Sequence, residues 1–315
     1  MDNTHRSKPT SHIYGPVPSR RLGYSLGVDI LPFKTCTLDC IYCQLGRSSQ
    51  KDIKRKSYFC PDEILDQIKE AVEPGQRIDY ITFSGSGEPT LNTILGPLIR
   101  EIKKLTNIPV AVLTNSSLLM KAEVREALKK ADLVVPSLDA VTQDIFTRIN
   151  RPHVSLNVKD MIQGLQVFRQ EFSGKMWLEV MLVKGLNDSP ELIQKLKETI
   201  ALIKPHKVQL NTVVRPPAEG FAQPLDQERM EEIRGQLGDI AEIVVDFPKQ
   251  EQNPRDKNIQ KTILAYLKRR PATLADLTTS LGIHNNEVIK YLDRLRKDGK
   301  IRVVHHTDQK YYEPY

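Results

Sequence analysis

Three cysteines lie within a short segment of this chain and are its clearest chemical feature. Cys36, Cys40 and Cys43 have the spacing C-x3-C-x2-C and follow a segment that is predicted to be a strand. Three thiolates this close together can hold three corners of an iron–sulfur cubane, which leaves the fourth iron open to another ligand. The alternative is a structural zinc site completed by a histidine, for which this spacing is unusual.

The fourth cysteine is not expected to be a ligand. Cys60 stands before Pro61 at a predicted helix start, where a buried or capping role is expected. Four cysteines in 315 residues are too few for a disulfide scaffold. Because only one cysteine is left over, a second cluster with three cysteine ligands cannot be built.

A loop of small residues follows the second predicted strand. It reads Ser84-Gly85-Ser86-Gly87-Glu88-Pro89. Small residues let the backbone approach a bound ligand closely. A glycine-rich turn alone is a weak signal, since most such turns only reverse the chain. Together with the cysteines, the loop indicates a ligand site.

The two segments together resemble the signature of the radical S-adenosylmethionine (SAM) superfamily, with Tyr42 as the aromatic residue before the third cysteine. The resemblance implies that the open iron of a [4Fe-4S] cluster chelates the amino and carboxylate groups of SAM, with Tyr42 near the adenine. It further implies that an electron from a donor such as flavodoxin or ferredoxin cleaves SAM into methionine and a 5′-deoxyadenosyl radical. That radical would then remove hydrogen from a substrate.

The resemblance also assigns further contacts to SAM. Gly87, Glu88 and Ser86, which stands where the family usually has glycine, would hold the methionine ammonium group. Three residues at strand ends resemble family segments that contact the ribose and the methionine carboxylate: Asn115, Ser137 and Asp139. Each of these three could equally cap the turn or helix that follows it.

The elements that must position these residues alternate along the chain. Short β-branched runs alternate with amphipathic helices, which is typical of parallel strands joined by crossover helices. The pattern predicts an α/β fold, a partial (β/α)6 barrel of parallel strands over residues 1–250. The predicted strands are Leu26–Leu31, Tyr80–Ser84, Val110–Thr114, Leu133–Ser137, Trp177–Val183 and Val208–Val214. The predicted helices are Pro61–Val72, Leu95–Leu105, Lys121–Lys130, Val158–Phe172, Pro190–Ile203 and Gln227–Leu237.

Candidate substrate contacts come from the carboxyl ends of the later strands, where ligands of such barrels collect. They are Lys184, Asn187, Asn211 and Arg215. Lys184 could instead be a surface residue, and Asn187 could build a turn or cap a helix. Two neighbouring arginines, Arg20 and Arg21, could bind a phosphate or the cofactor carboxylate, or could be solvated.

The last part of the chain has a different pattern. A polar segment with two prolines, Phe247–Pro254, marks a predicted domain boundary. Residues 255–315 are predicted to form a small C-terminal winged helix-turn-helix domain, with thirteen Lys and Arg against seven Asp and Glu. Its predicted elements are helices Ile259–Leu267, Leu274–Leu281 and Asn286–Arg296 and a hairpin of Lys300–Val304 and Gln309–Tyr312.

The surface of this domain could contact a nucleic acid or a protein. Its third helix could present Asn285, Asn286, Lys290 and Arg294 to a nucleic-acid groove, with His305, His306 and Lys310 near phosphates. Many winged helices dock proteins instead, and the excess positive charge does not decide between these two partners.

Three functions are consistent with these patterns. The segments Gly15–Gly23 and Cys43–Gly46 resemble a branch grouped with wyosine-type tRNA-modifying enzymes, although the cysteines for that group's second cluster are missing. The leading hypothesis is a radical SAM enzyme that modifies RNA, in particular tRNA. The alternative is a radical SAM enzyme that modifies a protein, peptide or small metabolite. A third hypothesis, which Gly87-Glu88-Pro89 disfavours, is an iron–sulfur regulator that binds DNA and senses redox state.

Composition limits the class of protein. A hydrophobic fraction of 39% and a charged fraction of 27% are in the ordinary globular range. No apolar run is long enough to cross a bilayer, so no membrane contact is expected. Residues 1–10 have no apolar core followed by a cleavage site, which predicts a cytoplasmic protein.

Overall fold

One large sheet organises most of the chain in the computed structural model, which describes residues 11–19, 21–48, 51–72, 76–244, 259–281, 283, 285–307 and 309–315. The sheet has eight strands in chain order, and all neighbours are parallel except β1 and β2. The strands are β1 (Ile13–Ser19), β2 (Gly23–Val28), β3 (Tyr80–Phe83), β4 (Val110–Thr114), β5 (Leu133–Pro136), β6 (Lys175–Leu182), β7 (Lys207–Thr212) and β8 (Ala241–Ile243). Mostly parallel α/β architecture is therefore confirmed, with a strand added at each edge.

The two added edge strands carry weak sequence signals. β1 contains Pro16 and Pro18, which cannot donate to a ladder, and its pairing with β2 is irregular between Tyr14 and Val17. β8 is only three residues long. The central strands are apolar on both faces, as parallel strands covered on both sides must be. All four residues of β5, for example, are buried.

Seven helices of the described residues connect the strands of the large sheet. They are α1 (Pro61–Ala71), α2 (Leu95–Leu105), α3 (Ala122–Leu128), α4 (Gln143–Asn150), α5 (Val158–Glu171), α6 (Pro190–Ile203) and α7 (Gln227–Leu237). Only α4 was not predicted. Side-chain caps begin α5, α6 and α7, where Asn157, Ser189 and Asp226 accept bonds from backbone N–H groups three residues on. None of the described helices is long and apolar enough to cross a lipid bilayer.

The C-terminal part has its own core. It contains α8 (Ile259–Leu267), β9 (Ala272–Thr273), α9 (Leu274–Leu281), α10 (Asn285–Lys297), β10 (Ile301–His306) and β11 (Gln309–Pro314). Three short strands form one sheet in the order β10-β11-β9. These elements agree with the predicted helices and hairpin, while the winged-helix assignment and the domain division stay predictions. The proposed boundary Phe247–Pro254 lies outside the described residues.

The C-terminal part packs against the first strand of the large sheet. Its buried cluster includes Val17 of β1 together with Ile263, Leu277 and Leu295. Two further contacts reach the end of β7: the Tyr311 hydroxyl donates to the Val214 carbonyl at 2.5 Å, and His306 Nε2 lies 3.1 Å from the Val213 carbonyl oxygen. The C-terminal part therefore lies at the carboxyl end of the strands.

Candidate functional site

The cysteine loop follows β2 and is held by backbone hydrogen bonds on two sides. Thr35 bridges to Gly87 in the small-residue loop, and the Glu88 N–H donates to the Thr35 carbonyl at 3.0 Å. On the other side, the Asp39 and Ile41 N–H groups donate to carbonyls at the end of α4, at 3.0 and 2.9 Å. These bonds fix the backbone on which the three cysteines lie.

Each cysteine sulfur accepts a hydrogen bond from a different side chain. The donors are Asn115 Nδ2 to Cys36 at 3.4 Å, Asn150 Nδ2 to Cys40 at 3.4 Å, and Lys34 Nζ to Cys43 at 2.9 Å. Such donors stabilise negative charge on sulfur, and hydrogen bonds of this kind tune iron–sulfur clusters. The donor set therefore fits a cluster held by three thiolates.

Burial opposes ionisation of the thiols when no metal is present. It raises the pKa of Cys36 to about 12, with a further contribution from the Glu88 carboxylate, and it raises the pKa of Cys40 as well. Iron would supply the positive charge that stabilises the thiolates. Across the described residues, no three His, Cys, Asp or Glu side chains surround a position for a single metal ion.

The small-residue loop passes too close to its neighbours for larger side chains. A Cβ at Gly87 would lie 1.8 Å from the Thr35 carbonyl oxygen, and Gly85 has a φ of +137°. Ser86 donates from its N–H and its hydroxyl to Asp29 Oδ2, at 3.1 and 2.5 Å. The serine at the family's glycine position thus ties the loop to Asp29, a residue that no sequence motif marks.

Glu88 is buried and joins the small-residue loop to β4. Its carboxylate accepts bonds from the Thr90 N–H at 3.1 Å, the Thr90 hydroxyl at 2.6 Å, the Thr114 hydroxyl at 2.7 Å and the Asn115 N–H at 2.6 Å. Burial raises the pKa of Glu88, while these donors lower it. Oε2 accepts only the Asn115 bond among the described residues, so it retains a lone pair for a ligand.

Asn115 is occupied by the cysteine loop in this structure. Its amide nitrogen donates to Cys36 and, at 2.8 Å, to the Thr37 hydroxyl, and its oxygen accepts from Ser117. The amide that is expected to contact SAM is therefore already hydrogen-bonded, and the contact with SAM stays a prediction. Asn115 also connects the carboxyl end of β4 to the first cysteine.

The half-buried Tyr42 and the buried Asp139 form a hydrogen-bonded pair. The Tyr42 hydroxyl donates to Asp139 Oδ2, which also accepts from Asn150 Nδ2 at 2.7 Å, and Oδ1 accepts from the Met181 N–H at 2.9 Å. Burial raises the pKa of both groups. Asn187, expected at the substrate pocket, donates to the carbonyls of Asp139 and Met181 at 2.8 and 2.9 Å. Its amide is therefore used to hold the Asp139 backbone.

A second carboxylate fastens the cysteine loop. Glu219 is buried, its N–H donates to the Ile41 carbonyl at 2.9 Å, and its side chain accepts from Arg47 at 2.6 Å and from Arg151. These arginines hold the pKa of Glu219 below its usual range. Sequence patterns carried no signal for this residue, which lies far from the cysteines along the chain.

A cavity of about 330 Å³ lies at the carboxyl ends of the strands. Tyr42, Ser137 and Asp139 line it, as do the substrate candidates Asn211 and Arg215. Lys184 is exposed and does not line it, because the chain has turned outward after β6 and the Lys184 N–H donates to the Gln223 carbonyl at 3.0 Å.

Several residues of the cavity wall were not placed there from the sequence, among them one carboxylate and two arginines. Glu179 on β6 forms an ion pair with Arg21 at 2.5 Å. Arg21 was a candidate to bind a phosphate or the cofactor carboxylate. Arg20, the other candidate, lies outside the described residues. Three more lining residues come from the C-terminal part: Tyr266, Arg269 and Arg270. Their distance along the chain from every cofactor motif left no pattern that could predict them.

The chain is similar to known proteins in sequence and in fold. It is 41% identical over 305 residues to a protein named GTPase Obg from Brachyspira hyodysenteriae, covering 96% of this chain and 45% of that protein. The chain thus spans less than half the length of that relative. It is 27% identical over 202 residues, 61% of this chain and 56% of the relative, to a "Probable dual-specificity RNA methyltransferase RlmN" from Thermotoga neapolitana.

Among solved structures, the fold is similar to a radical SAM methyltransferase from Sphaerobacter thermophilus. The TM-score is 0.52 at 18% identity, with 70% of this chain and 65% of that chain covered. A family model described as the Radical SAM superfamily matches residues 30–196, more than half of the chain. The family uses a [4Fe-4S] cluster and SAM, which agrees with the predicted cofactors rather than with a zinc site. The chain therefore belongs to the radical SAM superfamily of enzymes.

Proposed function

We propose that this chain holds a [4Fe-4S] cluster through Cys36, Cys40 and Cys43 and uses SAM to abstract hydrogen from an RNA substrate, in particular a tRNA. The observation that carries the cofactor assignment is the set of three N–H donors, one to each cysteine sulfur. When bound and reduced, the cluster would cleave SAM and so supply a 5′-deoxyadenosyl radical. An electron donor such as flavodoxin or ferredoxin would reduce it.

The small-residue loop and the strand ends would bind and orient SAM. Glu88 Oε2, with its remaining lone pair, would accept a hydrogen bond from the methionine ammonium group, and the backbone of Ser86 and Gly87 would lie against the methionine. Tyr42, Ser137 and Asp139 line the adjoining cavity, so the nucleoside would lie there. Asn115 would act through Cys36, whose sulfur it contacts.

One observation favours RNA as the substrate, and a second is compatible with it although it does not distinguish RNA from a protein. One relative is named an RNA methyltransferase. The chain also has a net charge of +7, most of which comes from residues 255–315, and a basic surface attracts a polyanion. Family membership also favours an enzyme over the DNA-binding regulator considered from the sequence.

A small metabolite is the second candidate, and the size of the cavity favours it. A volume of about 330 Å³ is at the small end of the range for ligand sites. A macromolecule is too large for this cavity, so only one protruding group of it could be bound there. The RNA substrate would therefore have to present a single nucleotide to the cavity.

The test compares RNA from cells with and without this chain. Nucleosides from digested tRNA are compared by mass, and we expect one modified nucleoside to disappear when the chain is absent. Expression of the Cys43→Ala variant should not restore that nucleoside, whereas Cys60→Ala should. An unchanged nucleoside profile together with a changed small-molecule profile would contradict the RNA substrate and support the metabolite.

A further inference from the structure

Among the described residues, four arginines line the cavity, against only two carboxylates, those of Asp139 and Glu179. The arginines come from both parts of the chain: Arg21 and Arg215 from the large sheet, and Arg269 and Arg270 from the C-terminal part. A cavity wall with more guanidinium groups than carboxylates is a site for an anion.

Arg215 has a buried side chain that makes no hydrogen bond within the part of the chain that the structure describes. Its side chain is 8% exposed, and its closest carboxylate oxygen, Asp276 Oδ1, is 3.6 Å away, beyond hydrogen-bonding distance. It donates no hydrogen bond to another described residue. Burial lowers the pKa of Arg215, and the neighbouring Arg270 charge lowers it further. A buried guanidinium with unused N–H groups at a cavity wall is suited to bind an anion.

Arg270 lies in the same wall and has no carboxylate within ion-pair distance in the described part of the chain. It donates to the Tyr266 hydroxyl, and its guanidinium carbon lies 4.7 Å from the centre of that ring. The Asp276 carboxylate interacts electrostatically with both Arg215 and Arg270. One carboxylate cannot balance two guanidinium charges.

We propose that Arg215 and Arg270 form a subsite that binds a phosphate group of the substrate. The inference rests on the proposed function, because it names a chemical group of that substrate. Arginine forks match phosphate oxygens and can bind them with two hydrogen bonds each. The C-terminal part then completes the substrate site by adding Arg270.

Phosphate could come from a free nucleotide or from an RNA backbone, and both would use the same guanidinium groups. The probe is therefore inorganic phosphate, titrated calorimetrically into the full-length chain with its cluster. Saturating SAM is present, so that phosphate cannot bind in place of the carboxylate of SAM. Acetate is the comparison ligand for a carboxylate.

We expect phosphate to bind and the Arg270→Gln variant to weaken it about tenfold or more, since charge-assisted bonds are lost. The control variant Arg302→Gln removes the same charge from an exposed arginine of the C-terminal part, and it should stay within about twofold of wild type. Arg270→Lys keeps the charge and should bind phosphate more tightly than Arg270→Gln. This comparison distinguishes a loss of the phosphate site from a loss of folding.

Failure of phosphate to bind the wild type, equal binding by wild type and Arg270→Gln, or acetate binding as tight as phosphate would each overturn the subsite. Competition then identifies the source of the phosphate. Displacement of phosphate by a short oligoribonucleotide supports the subsite on RNA. Displacement by a mononucleotide alone also supports the subsite, while it contradicts the RNA substrate. If neither the oligoribonucleotide nor the mononucleotide displaces phosphate, the subsite does not belong to the substrate site and the proposal is overturned.

Discussion

The side-chain amide of Asn150 donates to the sulfur of Cys40 at 3.4 Å. The same nitrogen donates to Asp139 Oδ2 at 2.7 Å, and that oxygen also accepts from Tyr42. Asn150 is the last residue of α4, so the end of one short helix connects a cysteine sulfur with a carboxylate of the cavity wall. The cluster and the cavity thus share one positioning residue.

Replacing Asn150 should change the electronic properties of the cluster. In Asn150→Ala the sulfur of Cys40 loses an N–H donor, so the reduced, more negative cluster is less stabilised and its reduction potential should fall. Redox titration followed by electron paramagnetic resonance measures this shift. Asn157→Ala is the control, because it removes a helix cap on α5, costing about 1 kcal/mol of stability, and leaves the potential unchanged. Equal potentials in wild type and Asn150→Ala would contradict the role of Asn150.

Glu88→Ala should separate cluster binding from cofactor binding. The cysteines and their backbone bonds remain, so about four irons per chain should be retained. The affinity for SAM should fall by about tenfold or more, because a charged acceptor is lost and Asn115 loses the partner of its N–H. Iron analysis and SAM titration measure the two effects. Glu101→Ala, on the exposed part of α2, is the control, and unchanged SAM affinity in Glu88→Ala would show that the loop does not bind SAM.

Glu219 should make the stability of the chain depend on pH. Arg47 and Arg151 lower its pKa, so its folded-state value lies below the unfolded value of about 4.3. The stabilising contribution of the carboxylate is therefore present above that unfolded value and is lost as the pH falls through the lowered one. Urea unfolding of the cluster-free chain should show Glu219→Gln to be less stable than wild type at neutral pH.

The stability difference between wild type and Glu219→Gln should become smaller in acid, because the contribution begins to decline below the unfolded pKa and is lost through the lowered folded one. Unfolding at about pH 3, which is below the unfolded pKa, provides this second measurement. The exposed Glu63→Gln variant on α1 should match wild type at both pH values. A difference between wild type and Glu219→Gln that grows in acid would show that the ion pairs with Arg47 and Arg151 are not its source.

Most of the central sheet could be predicted from the sequence, because the residues of each strand carry the signal for that strand. Strands β2 to β7 are apolar runs bounded by turn residues, and α2 and α6 have the predicted ends. β1 was missed because its prolines disfavour a strand, and α4 because its eight residues give a short periodic signal. The cysteines and the small-residue loop could be found because their chemistry lies in contiguous residues.

The rest of the site depends on tertiary contacts. Asp29, Asn150 and Glu219 act through partners far away in sequence, so no spacing marks them. Arg269 and Arg270 reach the cavity only because the C-terminal part packs on β1. Lys184 does not line the cavity for the related reason that a strand end does not fix where the following loop turns.

Deleting residues 255–315 should affect the large sheet as well as substrate binding. Val17 of β1 is buried against the C-terminal core, and exposing such a side chain costs about 1.5–3 kcal/mol. We expect β1 to lose protection against amide hydrogen exchange, while reductive SAM cleavage persists because the cysteines and the Glu88 loop remain. Turnover of the natural substrate should be lost. Unchanged exchange at β1 would show that this packing does not stabilise the strand.

SAM cleavage by defined cysteine variants tests the enzyme and its cluster ligands together. The full-length chain is reconstituted anaerobically with iron and sulfide, reduced with dithionite and assayed for 5′-deoxyadenosine. Wild type and Cys60→Ala should form 5′-deoxyadenosine and contain about four irons per chain, whereas Cys36→Ala, Cys40→Ala and Cys43→Ala should do neither. Formation of 5′-deoxyadenosine at the wild-type rate by any of the latter three variants, or its absence from iron-loaded wild type, would contradict the proposed cofactor site.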